Sequence, residues 1–249
     1  MGKLKSFIKF VGTFDELSFY KSADGYLVRS KGGIAKERIL RDPQFIRTRE
    51  NMNEFTSCAS SGQFIRRALG PLLHQSKDAK LSSRMLQRLY LIKNCDSINT
   101  RGLRTVHQGL QHPIGKALLM GFDFNQQAPL GAVLKQQATL DTETGAVTLP
   151  DFIPAAQLSI PEGATHVTFC SVFLRLNLEQ QQFERYQSDA ETLPLHFQKQ
   201  TIVLTPKDIP SLPGVSVYLL HVTFNQEVNG ISYVLNNGVH NVFHVLEVD

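Results

Sequence analysis

Two Asn-Gly dipeptides lie close together near the end of the chain, at Asn229-Gly230 and Asn237-Gly238. They separate the apolar runs 231–235 and 239–248 from each other and from a longer apolar run at 215–226. Asn-Gly between apolar runs is the strongest short-range signal for a β-hairpin turn, because both residues tolerate positive φ. The last forty residues are therefore predicted to form an antiparallel meander.

The same β-type pattern extends upstream to about residue 116. A long Phe- and Val-rich run covers residues 164–178, and Thr142-Glu143-Thr144-Gly145 separates two short β-favouring runs at 138–141 and 146–149. Phe122 and Phe124 alternate with polar residues in the period of a strand. Roughly seven short strands with regular turn signals are typical of a β-sandwich. We therefore predict an acidic C-terminal antiparallel β-sandwich domain at residues 116–249.

The first 115 residues combine a small sheet with helices. Residues 17–21 and 26–30 are predicted to pair around the turn Ser22-Ala23-Asp24-Gly25, and residues 4–14 to form a short strand. Asp42-Pro43 is a helix-start signal. Further along, Leu81, Met85, Leu89 and Ile92 form one apolar stripe at helical spacing. The prediction for the whole chain is an α+β protein whose basic domain, residues 1–115, holds an N-terminal β-hairpin plus helices.

Charge is divided unevenly along the chain. Residues 1–110 carry 20 Lys and Arg against 9 Asp and Glu, a net charge of +11, whereas residues 111–249 carry 6 against 13, a net of −7. Such asymmetry indicates contact with nucleic acid or another anionic surface, or head-to-tail association between copies. The alternative is a solvated basic face beside a solvated acidic one.

The basic residues are densest between positions 29 and 49. This set comprises Arg29, Lys31, Lys36, Arg38, Arg41, Arg47 and Arg49. Cations of this kind bind phosphates, and the aromatic residues just before them would stack on bases if they were exposed. A small hairpin must bury its aromatic residues to fold, so we interpret Phe19, Tyr20 and Tyr26 as packing residues. The seven cations are predicted to contact a partner protein or phosphate groups.

Motifs that carry known chemistry are missing from the sequence. It contains no G-x-S-x-G elbow and no phosphate-binding glycine loop. His240 and His244 lie four residues apart, but in a strand they would be about 13 Å from each other, too far to share a metal ion. We therefore predict no catalytic residues, no metal site and no cofactor.

Cysteine and hydropathy patterns bear on the compartment. Cys58, Cys95 and Cys170 are odd in number and show no disulfide or metal spacing, which favours reduced thiols in a cytoplasmic protein. Lys3, Lys5 and Lys9 interrupt the apolar residues at the N-terminus, so no signal peptide is expected. No apolar run approaches the roughly 20 residues of a membrane-spanning helix.

The chain resembles an uncharacterised family of Bacteroidetes-type proteins of about 250 residues. The resemblance lies in GKLKSFIKFVGTFDELSFYKSADGYLVRSKGGIAKERILRDPQFIRTREN at the N-terminus, TRGLR at 100–104, LLMGFDFN at 118–125, TGAVTLPDF at 144–152 and NQEVNG at 225–230. It covers nearly the whole chain and implies a bacterial, full-length, unprocessed product. That family has no assigned activity, so the resemblance implies no catalytic residues.

The function expected from these patterns is that of a non-enzymatic structural or self-assembling protein. Its basic and acidic halves would mediate contacts between copies in a homo-oligomer or filament. The N-terminal segment, with Lys3, Lys5, Phe7 and Lys9, is predicted to act as an assembly strand on the sheet edge of a neighbour. One alternative is a nucleic-acid-binding protein that uses the basic half. A further alternative is an enzyme whose site forms only in the fold.

Overall fold

A computed structural model describes residues 2–5, 7–30, 33–76 and 78–249, apart from the side chains of Asn236 and Asn237. The chain divides into two compact units, Met1–Arg49 (unit 1) and Glu50–Asp249 (unit 2). It contains an N-terminal hairpin, a set of helices and a C-terminal pair of antiparallel sheets. The predicted α+β class with a sandwich-like β half is confirmed.

Unit 1 contains a four-stranded antiparallel sheet in the order β1-β4-β3-β2. Its strands are β1 (Gly2–Lys3), β2 (Gly12–Phe14), β3 (Leu17–Ser22) and β4 (Gly25–Ser30). The sheet is followed by helix α1 (Lys36–Arg41), a 3-10 turn (Pro43–Phe45) and the start of helix α2 (Ile46–Leu69). The Asp42 side chain accepts a hydrogen bond from Gln44 N at 2.9 Å, which confirms the helix-start signal.

The β3–β4 hairpin forms where the turn residues predict it. Ser22 Oγ accepts a hydrogen bond from Asp24 N at 3.1 Å, and Gly25 has a φ of 105° that a side chain would disfavour. The strand predicted over residues 4–14 is wrong in its extent, because β1 ends at Lys3 and β2 begins at Gly12. A strand needs a partner for its backbone groups, and in the described part of this segment those that lie beside another strand are Leu4, which donates to the Tyr26 carbonyl, and residues 12–14, which pair with β3.

The helices of unit 2 lie mainly in its first half. After α2 come α3 (Pro71–His74), α4 (Leu81–Lys93), α5 (Val106–Gln111), α6 (Pro113–Leu119), α7 (Leu130–Val133) and α8 (Pro154–Gln157). The stripe Leu81, Met85, Leu89 and Ile92 on α4 is buried as predicted. Helix α2 continues through Gly62, whose missing side chain leaves room for Leu89 of α4.

The strands of unit 2 form two antiparallel sheets. They are β5 (Thr139–Leu140), β6 (Val147–Phe152), β7 (His166–Asn177), β8 (Gln182–Gln187), β9 (Glu191–Pro194), β10 (Gln200–Leu204), β11 (Val215–Val228), β12 (Ile231–Val234) and β13 (Val242–Val248). The smaller sheet has the order β10-β6-β5. In the larger sheet β7 and β11 pair at the centre, β8 and β9 pair with β7, and β12 and β13 pair with β11.

The larger sheet is the middle of three layers. On one face, Leu174 and Leu219 join a core formed with the helices. On the other face, Phe169 and Val222 join a second core formed with the smaller sheet. Residues from both sides of positions 115–116 share the first core, and the boundary between the two compact units lies at Arg49–Glu50.

The C-terminal meander is only partly as predicted. Asn229 and Gly230 have φ values of 54° and 77°, and they connect β11 to β12 as a hairpin. The second Asn-Gly pair is not a hairpin turn, because it ends a 3-10 turn (Leu235–Gly238) and β13 pairs with β11 instead of β12. The prediction was wrong here because β11 is long, so that β12 and β13 pair with different parts of the same edge of β11.

Candidate functional site

The basic residues of unit 1 are not equivalent in the structure. Arg49 donates hydrogen bonds of 2.8 Å to the carbonyls of Ile39 and Asp42, and it thereby holds the turn after α1 in place. Arg38 forms an exposed ion pair with Asp42 at 3.3 Å. Lys36 and Arg41 are exposed, and their side chains have no hydrogen-bond or ion-pair partner among the described residues. Arg29 and Arg47 are also exposed, and Lys31 lies outside the described residues.

The aromatic residues of the hairpin are half-buried within unit 1. The rings of Phe19 and Phe10 have centroids 4.3 Å apart, and the Arg29 guanidinium lies 5.6 Å from the Tyr20 ring. Lys9 and Lys21 lie 5.8 and 6.0 Å from the ring of Tyr26. These rings pack against side chains of their own unit, which agrees with their interpretation as packing residues.

Unit 1 leaves most of its other large hydrophobic residues in solvent. Leu27 is its one buried hydrophobic residue within the described ranges. Exposed hydrophobic side chains include Phe7 at 102%, Phe14 at 77% and Val11 at 65%, and also Ile8, Phe10, Leu17, Ile34, Leu40 and Ile46. Residues 1–49 carry 11 Lys and Arg against 5 Asp and Glu, a net charge of +6. This unit therefore presents apolar and positively charged groups together.

The predicted assembly residues occupy different positions in this unit. Lys3 lies in β1, where it pairs with Leu27 of β4. Lys5, Phe7 and Lys9 follow the strand, and Lys9 Nζ donates a 2.8 Å hydrogen bond to the Leu4 carbonyl. Phe7 is the most exposed hydrophobic side chain of the described chain.

Unit 2 contains a residue pair that the sequence did not reveal. Residues 121–124 run beside β13, with hydrogen bonds from Phe124 N to Phe243 O at 2.8 Å and from Val245 N to Phe122 O at 3.0 Å. Phe122 and Phe124 point into the helix-side core, so Asp123 points to the opposite side. There its carboxylate Oδ1 accepts a 2.6 Å hydrogen bond from His244 Nδ1 and a 3.0 Å bond from Leu130 N.

Two surface clefts flank this pair. Asp123 belongs to the wall of the arginine cleft, about 570 Å³, with Arg84, Gln87, Arg88, Phe122 and Gln126. His244 belongs to the wall of the leucine cleft, about 650 Å³, with Leu130, Leu140, Lys135, Gln136 and Leu246. The Asp123–His244 pair therefore lies between two cavities of the size that small molecules occupy.

The two guanidinium groups of the arginine cleft are held by the protein itself. Arg84 pairs with Asp78 at 2.5 Å and also donates to the Asp123 carbonyl. Burial raises the pKa of Asp78, but the hydrogen bonds from Arg84 and from backbone N–H groups outweigh it and hold the pKa below its ordinary value. Arg88 lies 5.9 Å from the Phe122 ring and donates to the Leu118 carbonyl at 2.8 Å.

The remaining histidine and metal predictions can be compared with the structure. His240 precedes β13 whereas His244 lies within it, so the assumption that both occupy one strand is wrong. No group of three His, Cys, Asp or Glu residues in the described part of the chain is arranged to hold a metal ion. Within the same residues, every helix is too short or too polar to cross a membrane.

Comparison with protein-family models, with curated proteins and with solved structures found no match to this chain. The resemblance inferred from the sequence therefore stays a prediction, and function has to be argued from the geometry of the two units.

Proposed function

We propose that the protein is a structural protein that assembles with copies of itself, using unit 1 as the docking element. The observation that carries this proposal is the coexistence of exposed Phe7, Val11 and Phe14 with a net charge of +6 in a unit of 49 residues. These three side chains lie within eight residues of the chain, and a concentration of exposed apolar side chains typically marks an interaction site.

The charge of residues 111–249, which belong to unit 2, supports a second copy as the partner. Residues 111–249 have a net charge of −7. Several of their carboxylates are exposed and have no cation within ion-pair distance in the described structure, namely Glu143, Glu162, Glu191 and Asp208. Complementary potentials steer association and fix orientation, so unit 1 of one copy would meet the acidic part of unit 2 of the next. Such a contact is heterologous and produces rings or open filaments.

The position of β1 supports docking through side chains. Lys3 lies in an edge strand of its own sheet, and that strand is only two residues long, so it offers few backbone groups to a neighbouring strand. Phe7, Val11 and Phe14 instead offer exposed side chains. In this form of the proposal, Phe7 and Phe14 fill apolar pockets on the neighbour while Lys36 and Arg41 lie opposite carboxylates.

Sedimentation velocity of the purified protein at about 50 mM and about 500 mM salt tests the proposal, because exposed charge pairs are screened at high ionic strength. We expect oligomers at low salt and a smaller mean size at high salt. The double variant Phe7→Ser/Phe14→Ser should shift the protein to monomer at both. Phe197→Ser is a matched control, because Phe197 is 80% exposed but belongs to unit 2. A wild-type protein that is monomeric at both salt concentrations would contradict the proposal.

Lys36 and Arg41 are exposed and unpaired, so they are available to phosphate groups. This observation favours nucleic-acid binding as the alternative to self-assembly. A gel shift with single- and double-stranded oligonucleotides across a salt series distinguishes it from self-assembly. Under the alternative, affinity falls steeply with salt and Lys36→Gln/Arg41→Gln weakens it, whereas Lys80→Gln in unit 2 does not. Under the self-assembly proposal, protein alone forms the oligomers and the oligonucleotides stay unshifted.

A further inference from the structure

His244 has one ring nitrogen engaged and the other open. Nδ1 bonds to the Asp123 carboxylate at 2.6 Å. A carboxylate accepts this bond, so Nδ1 carries the proton and the neutral ring keeps a lone pair on Nε2. No described residue hydrogen-bonds Nε2, which is also not among the buried unpaired atoms. Nε2 therefore reaches the protein surface, and the leucine cleft is a cavity whose wall includes His244.

Asp123 is held so that it can orient the ring. Its Oδ1 also accepts from Leu130 N at 3.0 Å, and its backbone is fixed beside β13 by the bonds of Phe122 and Phe124. A carboxylate in this position fixes the tautomer of the imidazole and stabilises the imidazolium that forms when Nε2 takes a proton. The arrangement is therefore that of a general base with its orienting partner.

The leucine cleft itself indicates the kind of ligand. Leu130, Leu134, Leu140 and Leu246 supply an apolar lining. Lys135 is exposed at the cleft, and its ammonium group has no carboxylate partner within the described ranges. Gln136 also belongs to the lining, and its side-chain nitrogen donates to the Pro150 carbonyl.

The described residues that line the leucine cleft include no Ser, Thr, Tyr or Cys. A hydroxyl or thiol nucleophile is therefore missing from this lining, and we take water as the nucleophile that the base would activate. This excludes a covalent acyl-enzyme formed on a hydroxyl or thiol of the described cleft.

From these observations we propose that Asp123 and His244 form an acid–base dyad that hydrolyses a carboxylic ester with a short apolar acyl group. His244 Nε2 takes a proton from water while the water oxygen bonds to the ester carbonyl carbon. The C–O bond to the leaving alcohol then breaks, and the Nε2 proton passes to the alkoxide. One ester and one water give one carboxylic acid and one alcohol. His244 is the catalytic residue, Asp123 is a positioning residue, and the acyl group lies against the leucines.

Hydrolysis of 4-nitrophenyl butyrate, followed through the released nitrophenolate at pH 7.5, tests this proposal. General-base catalysis contributes about 100-fold or more, so His244→Gln should lower kcat/KM by about that factor. Asp123→Asn should lower kcat at least about 10-fold and leave KM within about twofold, because Asp123 does not touch the substrate. His74→Gln is the matched control, since His74 is exposed on α3 and has no side-chain partner in the described structure.

Equal rates for the wild type and His244→Gln, or a wild-type rate no higher than that of free imidazole at the same concentration, would overturn the dyad. Chemical modification of the folded wild-type protein gives a second test, which does not depend on whether His244→Gln folds. Diethyl pyrocarbonate modifies accessible imidazoles, and peptide mass mapping quantifies modification at His244. Loss of hydrolysis in proportion to that modification, reversed by hydroxylamine, supports the dyad. Full hydrolysis by protein modified at His244 contradicts it.

Discussion

Lys93 and Glu54 form an ion pair between α4 and α2, and both side chains are only 2% exposed. The other carboxylate oxygen of Glu54 accepts a 2.8 Å hydrogen bond from Gly102 N, and the Lys93 ammonium lies 4.0 Å from the Tyr90 ring. Burial raises the pKa of Glu54, but the bonds from Lys93 and Gly102 outweigh it and hold the pKa below its ordinary value. Two helices and the loop before α5 thus meet at one buried carboxylate.

Removal of one partner of this pair should be strongly destabilising. Lys93→Met leaves a buried carboxylate without its cation, which costs about 3–5 kcal/mol in comparable sites. Urea unfolding at pH 7 measures the change. Lys199→Met is the control, because Lys199 and Asp151 form an exposed pair at 3.1 Å, and such pairs contribute under about 1 kcal/mol. A loss below about 1 kcal/mol for Lys93→Met would show that the buried pair is dispensable.

His221 predicts a pH dependence of stability in a defined range. Burial between β7 and β13 lowers the pKa of its imidazole to about 4, from an ordinary value of 6.5. As the pH falls, the unfolded chain takes up the His221 proton before the folded chain does. The contribution of neutral His221 to the free energy of unfolding is therefore fully present above pH 6.5 and is lost as the pH drops towards 4. The expected loss is up to about 1.4 kcal/mol per pH unit.

The His221 prediction is checked by urea unfolding between pH 7 and 5. Stability that Glu54 gains from its lowered pKa is present above its unfolded value of about 4.5 and is lost only below it, so Glu54 does not contribute to a slope measured between pH 7 and 5. His221→Phe keeps an aromatic ring beside Phe243 and should flatten the slope. Equal slopes for His221→Phe and the wild type would refute the assignment.

Gly109 permits the close approach of α5 to α4. A Cβ at this position would lie 2.1 Å from the Ile92 carbonyl oxygen, a backbone atom that cannot rotate away. We expect Gly109→Ala to lower the free energy of unfolding by about 1–3 kcal/mol, as overpacked substitutions do. At Gly131 on α7, no described atom lies within 4 Å of the place that an alanine methyl group would take, so Gly131→Ala should be neutral or slightly stabilising. Thermal unfolding of both variants compares them directly.

The three thiols should differ in reactivity. Burial raises the pKa of Cys58 to about 11, and the side chain is fully enclosed between α2 and α4. The thiolate is the reactive form, so Cys58 should resist iodoacetamide at pH 8 until the protein unfolds. Cys95 and Cys170 are both partly exposed, so both should react before Cys58. Peptide mass mapping after short labelling times gives the order, and early labelling of Cys58 in folded protein would contradict this structure.

The β11–β12 hairpin offers an apolar surface on unit 2 for the proposed assembly. Its exposed residues include Val228, Ile231, Tyr233 and Val234, and each of these side chains is at least 45% exposed. Under the self-assembly proposal, Tyr233→Ser should weaken oligomers in sedimentation velocity at low salt, while Phe197→Ser should not. Unchanged oligomers in Tyr233→Ser would exclude this hairpin from the contact.

Local sequence signals predicted the parts of the fold that depend on neighbouring residues. The turn at Ser22–Gly25 and the cap at Asp42 are decided within four residues, and both lie where they were expected. The second Asn-Gly pair misled the prediction because the partner of β13 is chosen by β11, which lies earlier in the chain. A local turn signal does not show whether β13 pairs with β12 or with β11.

The Asp123–His244 pair could not be predicted in the same way. The alternation of Phe122 and Phe124 places Asp123 on the outer side, but its partner lies 121 residues away. Only the pairing of residues 121–124 with β13 brings the carboxylate to the imidazole. Functional motifs defined by short spacing therefore miss a pair of this kind.

The long strand β7 serves both hydrophobic cores, because its odd-numbered residues Val167 and Phe169 face the smaller sheet and its even-numbered residues, such as Leu174, face the helices. Insertion or deletion of a single residue within β7 would exchange the two sets and present each to the wrong layer. The length of this strand is therefore as constrained as its composition. Variation in length among natural variants should fall instead in connecting segments such as 205–214.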